Sequence, residues 1–311
     1  MITIDTEVAF DDPLPQSADV VVIGAGVIGM FTAWFLNRAG ASVVVCEKGR
    51  VAGEQSGRNW GWIRQQGRDE AELPIMMRSI QLWEEMAQTL ETDIGFRRGG
   101  VAYLAETRER YEKLRQWLPI AESHGLDSRD LSESAVATLI NSGSPQWVGG
   151  VYTPSDARAE PFVAVPAVAG LVQAEGVRLK ENCAVRSITS DRGRVSAVVT
   201  ESGAVQTSRV VCCAGAWSRL FLGHLGFHLP QLTVRATVAR TAAAPEIFAG
   251  NAAGRDLAFR RRLDGGYSMA LSDHMEHFVS GASFRDFRTF IPALRASWHQ
   301  TRLRPGQSKY S

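Results

Sequence analysis

Asp19-Val20-Val21-Val22-Ile23-Gly24-Ala25-Gly26-Val27-Ile28-Gly29, followed after a helix-like stretch by Val43-Val44-Val45-Cys46-Glu47, decides the fold of this chain. A β-branched apolar run, a glycine turn, a helix and a second apolar run closed by an acid form the layout that grips an adenine dinucleotide. Gly24 allows the tight turn out of the strand. Gly26 lets the backbone approach a pyrophosphate, and Gly29 lets the helix pack close to the strand. The helix start, where Val27 and Ile28 stand, offers free amides and the positive end of a dipole to the phosphates. Glu47 lies about twenty residues beyond the glycines, the spacing of a carboxylate that accepts bonds from ribose hydroxyls. Like-charge repulsion at that acid makes NADP the least suited dinucleotide. The alternative is an ordinary glycine-rich βα turn, against which the strand, the helix and the acid at this distance together favour the dinucleotide.

Working outward, 311 residues exceed the usual single-domain size, so two domains are expected. The apolar fraction of 45% suits a globular core, and a net charge of +1 without a basic tract argues against a nucleic-acid groove. No apolar run approaches membrane-spanning length. Residues 1–16 carry Asp5, Glu7, Asp11 and Asp12 and lack the pattern of a signal peptide, so they read as a short, mobile leader. Cys46, Cys183, Cys212 and Cys213 sit in or beside strand-like runs and read as free buried thiols of a cytoplasmic protein. Cys212 and Cys213 should point to opposite faces of a strand, and no Cys/His spacing suggests a metal site.

After Glu47 and Lys48 comes Gly53-Glu54-Gln55-Ser56-Gly57-Arg58-Asn59-Trp60-Gly61-Trp62-Ile63-Arg64-Gln65-Gln66-Gly67-Arg68. This stretch is too polar and glycine-rich for a core element and is a candidate active-site wall. Helical periodicity is expected over 70–92, 108–124 and 132–140. Strands are expected over 96–104 and 147–152. Asp156-Ala157-Arg158-Ala159-Glu160-Pro161 then opens a helix, with Pro161 at its first position and Pro166 inside. Strand runs follow at 177–185, 195–201 and 205–213, the last leading into Ala214-Gly215-Ala216-Trp217-Ser218. More strands are expected beyond residue 229, and a last helix over 284–302. The reading is an α/β fold, α+β overall. A discontinuous Rossmann-like domain with a parallel sheet takes 17–68 and 147–229. A second domain with a mostly antiparallel sheet takes 69–146 and 230–311.

The turn with Glu47, the loop 56–66, the 156–161 helix entry followed by the run 177–185, and the 214–218 turn together resemble the D-amino-acid-oxidase-like family of FAD-dependent oxidoreductases, which includes glycine and sarcosine oxidases. The Ser56-Gly57-Arg58-Asn59-Trp60-Gly61 form of the loop is similar to a bacterial branch that oxidises small amino acids and N-substituted glycines. The resemblance implies FAD as cofactor. Gly24, Gly26, Val27, Ile28 and Gly29 would serve the pyrophosphate and Glu47, with Lys48 beside it, the adenosine ribose. Ser56, Arg58, Asn59, Trp60, Gly61 and Trp62 would line the flavin. Val185 would bond the adenine edge through its backbone, and Gly215 and Trp217 would pass near the ribityl chain or pyrophosphate. Members of the family run past this length, with a glycine-rich segment returning to the flavin. Residues 301–311 carry nothing that matches it, so the expectation is that a longer product or a partner chain supplies it.

The implied reaction moves a hydride from the carbon next to an amine to flavin N5, after which the imine hydrolyses. Oxygen or a quinone-linked acceptor would take the electrons. A substrate carboxylate calls for an arginine fork. Arg64, Arg260 and Arg262 are the candidates, with Tyr267 as a further carboxylate contact, although arginines are commonly solvated and strand tyrosines commonly just pack. Trp60 and Trp62 serve equally as flavin wall or ordinary packing. His228, His274 and His277 read as structural. The oligomeric state stays open, a homo-oligomer included. Two other readings compete: a non-catalytic flavin-domain protein acting only with a partner, and a nicotinamide-dependent dehydrogenase. The loop 56–66 argues against the second, because a simple NAD domain would proceed to another β/α unit.

Overall fold

The computed structural model describes residues 2–141, 147–271 and 275–306, and His274 lies outside them. The chain divides into two compact units, one of residues 1–58, 161–235 and 276–311, the other of 59–160 and 236–275. The crossings therefore fall at other positions than the expected 68/69, 146/147 and 229/230. Trp62–Ile63 of the loop pairs with Ala157–Arg158, and Gly149–Thr153 pairs with Val101–Ala105, so these segments stay in the second unit. Residues 276–306 cluster with the first unit, where Val234 pairs with His277.

The first unit is built on a four-stranded parallel sheet in the order Val210–Cys212, Val20–Ile23 (β1), Val43–Cys46 (β2) and Arg178–Lys180. Every residue of β1 and β2 is buried, as expected of strands covered on both faces. The helix Val27–Arg38 (α1) connects them. The helix Pro161–Ala174 begins at the proline and tolerates Pro166 inside it. It buries Ala164, Val165, Val168, Ala169 and Val172, a stripe at helical spacing. The expected strand 177–185 ends at Lys180, because Asn182 turns the chain with φ 48°. A separate antiparallel sheet of Val185–Asp191, Arg194–Thr200 and Gly203–Gln206 follows. Val198 and Val205 from it share a core with Val21, Val44, Cys46 and Cys183.

The expected mobile leader is instead stitched to this unit. Phe10 is buried, the Asp12 amide donates to the Leu179 carbonyl at 3.2 Å, and the Glu181 amide donates to the Phe10 carbonyl at 2.8 Å. Backbone pairing to the edge strand, together with one apolar anchor, outweighs the acidic composition. The expected terminal helix over 284–302 is two helices, Gly281–Arg285 and Phe287–Ser297, followed by the strand Thr301–Arg304.

The second unit carries a seven-stranded sheet in the order Val238–Arg240, Tyr267–Leu271, Leu257–Arg261, Asn251–Ala253, Val101–Ala105, Gly149–Thr153 and Arg129–Ser132. Asn251–Ala253 runs parallel to Val101–Ala105, and the other named neighbours are antiparallel. Ala102, Leu104, Leu131, Val136, Ile140, Tyr152, Phe248 and Ala252 form its core. A small sheet sets Ala157–Arg158 between Trp62–Ile63 and Arg97–Arg98. Among the described residues no helix is long and apolar enough to cross a membrane.

Candidate functional site

In the first unit, β1 is flanked by β2, reached through α1, on one side and by Val210–Cys212, reached only much later in the chain, on the other. The crevice at the carboxyl ends of such strands is where α/β sheets receive dinucleotides. The glycine turn sits there. Gly24 has φ 102°, and a Cβ on it would lie 2.6 Å from the Cys213 carbonyl oxygen, which marks how closely the two strand ends approach. A Cβ on Gly29 would lie 1.9 Å from the Gly24 carbonyl oxygen, so α1 rests directly on the turn.

Helix α1 has no side-chain cap at Gly26. Its first ladder bond runs from the Met30 amide to the Gly26 carbonyl at 3.0 Å, leaving the amides of Val27, Ile28 and Gly29 ahead of the ladder. Ser56 Oγ accepts from the Val27 amide at 2.9 Å. Ile28 is 67% exposed at the mouth of the turn. Glu47 accepts from the Ala25 amide through Oε2 and from the Gly49 amide through Oε1, both at 2.8 Å. Burial pushes the Glu47 carboxyl up, and the two amides oppose that rise. Each carboxylate oxygen keeps a second lone pair for a hydroxyl donor. Lys48 Nζ lies 3.2 Å from the centre of the Trp217 ring, and Gly215 turns the chain with φ 53° after the strand Val210–Cys212. Val185 opens its sheet opposite Thr200. Arg58, at the end of the short helix Gln55–Arg58, pairs with Glu54 just before it at 3.4 Å.

The sequence did not single out Glu181. It accepts from the Ala9 and Val51 amides at 2.9 and 2.7 Å and so fixes both the N-terminal stretch and the loop beyond Glu47. No local motif signals it. His277 bonds the Thr233 carbonyl and Ser283, and His228 meets Asp286 at 2.8 Å, so both serve structure in this unit.

In the second unit, the loop 59–68 is held at two points. Asn59 Oδ1 accepts from the Gly61 amide at 2.7 Å, and Gly61, at φ 75°, accepts from the Ala159 amide at 2.9 Å. At the other end, Asp156 accepts from the amides of Gln65 and Gln66 at 2.7 and 3.1 Å. Burial drives the Asp156 carboxyl up to about 6 against those bonds. Between the two anchors, the Trp60 and Trp62 rings meet edge to face at 5.2 Å, Trp62 lies 6.4 Å from Tyr103, and the Arg64 guanidinium stands 5.8 Å from the Tyr103 ring. Arg64 is half-buried and donates to the Gln66 carbonyl through Nη1.

Three expected substrate contacts are occupied otherwise. Arg260 is buried, with Nη1 and Nη2 on Glu160, Nε on the Trp60 carbonyl and Nη2 also on Ser268 Oγ. Arg262 is buried on Asp264 and on the carbonyls of Thr241 and Tyr267. The Tyr267 hydroxyl donates to the Pro245 carbonyl at 3.3 Å and accepts from the Ile247 amide at 2.9 Å. Arg260 and Arg262 thus already meet hydrogen-bond partners inside their own unit. Arg158 is buried too. Its Nε donates to the Ala249 carbonyl at 3.1 Å, while Nη1 is without a partner among the described residues.

Residues 19–309 match the family model for FAD-dependent oxidoreductases of the DAO type. The chain belongs to that family. Mitochondrial sarcosine dehydrogenase of Homo sapiens is 30% identical to it over 71% of this chain and 25% of its own length. Sarcosine oxidase subunit beta of an Arthrobacter species is 29% identical over 72% of this chain and 58% of its own. This chain thus spans about a quarter to three-fifths of these curated relatives. The structure of L-amino acid deaminase from Proteus myxofaciens in complex with anthranilate superposes with a TM-score of 0.89 at 29% identity, covering 99% of this chain and 72% of that one. FAD is the cofactor of the DAO family, and the first unit fits it. The start of α1, where the Val27 amide is taken by Ser56 while those of Ile28 and Gly29 lie ahead of the ladder, suits a pyrophosphate, and the buried Glu47 carboxylate suits ribose hydroxyls.

Proposed function

We infer that this chain oxidises the C–N bond of a small amino acid or N-substituted glycine. The observation that carries the reading is the β1–α1 turn with Glu47 locked onto the Ala25 and Gly49 amides, the arrangement that leaves the helix start open to a phosphate. The substrate class is supported by relatives named for sarcosine and L-amino acids. FAD, when bound, would supply a two-electron acceptor for oxidation of the carbon beside the amine. The chain's own residues bind and orient. Glu47 and the α1 amides hold the adenosine diphosphate half, and Ser56 orders the first amide of the helix. Arg64 is the proposed partner of the substrate carboxylate, because it is half-buried beside the Tyr103 ring and, unlike Arg260 and Arg262, has no ion pair with a carboxylate among the described residues. Trp60, Trp62 and Tyr103 supply an apolar wall that keeps water from the reacting carbon.

The test is an absorbance spectrum of the chain mixed with FAD, repeated anaerobically with sarcosine, glycine and larger L- and D-amino acids. Bleaching of the flavin band by one of them supports the reading and gives the substrate. A bound flavin that none of them bleaches overturns it. Re-oxidation by air or by a quinone then separates oxidase from dehydrogenase. The second reading, action only within a complex, is favoured by the relative that is itself a subunit. It predicts that FAD is retained only after a partner chain is added.

A further inference from the structure

Arg158 stands in the middle of the small sheet, its backbone paired with Trp62 on one side and Arg97 on the other. Only 7% of the residue is exposed. Among the described residues its side chain makes one hydrogen bond, from Nε to the Ala249 carbonyl at 3.1 Å, and Nη1 has no partner. A guanidinium carries five donors and keeps its charge inside a protein. Such a buried charge is costly unless an acceptor of opposite sign meets it.

The charged groups that face Arg158 are Arg260, Glu160, Arg97, Arg261 and Asp93, and all of them belong to the second unit. Both acids already serve another arginine. Glu160 accepts from Nη1 and Nη2 of Arg260 at 2.8 and 2.9 Å and from the Leu263 amide at 2.9 Å. Asp93 accepts from Nη1 and Nη2 of Arg97 at 3.1 and 2.7 Å and from the Gly95 amide at 2.9 Å. Arg261 has its own acid, Glu246, at 3.8 Å. This pairing leaves one positive charge over, on Arg158, together with a buried donor that no described residue meets.

We propose that Arg158 is the cationic centre of a binding site for a small carboxylate, built wholly within the second unit. One negative charge balances the charge left over, and the planar carboxylate matches the planar guanidinium. A phosphate dianion would overshoot that balance, and a neutral ligand would leave the guanidinium uncompensated. The site is a different contact from Arg64. It needs no flavin and does not rest on the function proposed above.

The test is thermal unfolding of the whole chain without FAD, followed by circular dichroism in sodium formate or acetate and, at equal ionic strength, in sodium chloride. A ligand that binds only the folded chain raises Tm in a saturable way. The expected result is a saturable rise of about 2 °C or more with formate over chloride, in wild type and in Arg64→Ala alike. In Arg158→Met the rise should vanish or need about tenfold or more formate. No saturable rise in wild type overturns the proposal, and so does a rise that a folded Arg158→Met keeps unchanged or that Arg64→Ala alone abolishes. An equal rise with chloride overturns the carboxylate assignment. If Arg158→Met does not fold, Arg158→Lys takes its place, since a point charge without the planar fork should also weaken formate about tenfold. If neither folds, a crystal of the wild-type chain grown in formate decides: formate on Nη1 supports the site, and formate found only elsewhere overturns it. Flavin is absent throughout, so failure of the bleaching test above leaves this result standing, and the reverse holds too.

Discussion

Glu160 and Arg260 face each other through two parallel hydrogen bonds although a hundred residues separate them, and both side chains are almost wholly buried. Removing one partner leaves the other charged in a low-dielectric setting. Glu160→Ala should therefore destabilise the second unit by about 3–5 kcal/mol, the usual cost of breaking a buried pair. Urea unfolding followed by far-UV circular dichroism measures it. A loss below about 1 kcal/mol, the range of exposed pairs, would contradict the burial described.

Glu47→Gln can accept from only one of the Ala25 and Gly49 amides, so it should loosen this turn as well as weaken FAD binding. Charge-assisted hydrogen bonds contribute about 1.5–3 kcal/mol each, so losing one to a ribose hydroxyl corresponds to about ten- to a hundredfold in the dissociation constant. Titration of apo chain with FAD by fluorescence quenching reads this directly. An unchanged affinity would remove Glu47 from the cofactor site.

Arg64→Ala should raise KM for a carboxylate substrate by about ten- to a hundredfold, because an ion-paired hydrogen bond is lost, with a smaller change in kcat. Steady-state kinetics with an amino acid and with the matching amine lacking the carboxylate separates the cases. A parallel loss with both substrates would mean that Arg64 acts on the loop rather than on the carboxylate.

Asp156 gives a pH dependence of defined sign. Its folded pKa of about 6 lies above the ordinary 3.8, so between those values the folded chain holds more of the proton than the unfolded one. Stability from this group is therefore fully present below the ordinary value and is lost as pH rises through about 6. Other carboxylates oppose the trend. Asp264, held down to about 2 by Arg262, contributes stability that disappears in acid. The comparison with Asp156→Asn isolates the effect: the wild type should lose stability relative to the variant as pH is raised from 4 to 6.5. A difference that is flat in pH would place the Asp156 pKa at its ordinary value.

The dinucleotide turn was legible because everything it needs is local. Gly24, Gly26, Gly29 and Glu47 lie within one β-α-β unit, and the apolar runs on either side are fully buried strands. The roles of Arg260, Arg262 and Tyr267 were not legible. An arginine in a strand announces a charge and not its partner, and Glu160 and Thr241 reach these side chains only through tertiary pairing. The two-residue strands Trp62–Ile63 and Ala157–Arg158 are too short for any periodicity to show, yet they decide to which unit the loop 59–68 belongs. Asp156 was visible as part of a helix entry. Its grip on Gln65 and Gln66 spans about ninety residues and leaves no pattern in the chain.

The stretch from Ala9 to Asp12 has a consequence for handling the protein. It lies along Arg178–Lys180, the outermost strand of the parallel sheet, and Asp11 forms a bridge with Lys180. An uncovered outer strand is a template on which other molecules add themselves. Trimming residues 2–12, or fusing a bulky tag hard against Phe10, should turn this flank into a nucleus for self-association. Tags are better placed ahead of a spacer, and a proteolytic nick in this stretch would be an early route to loss of soluble protein.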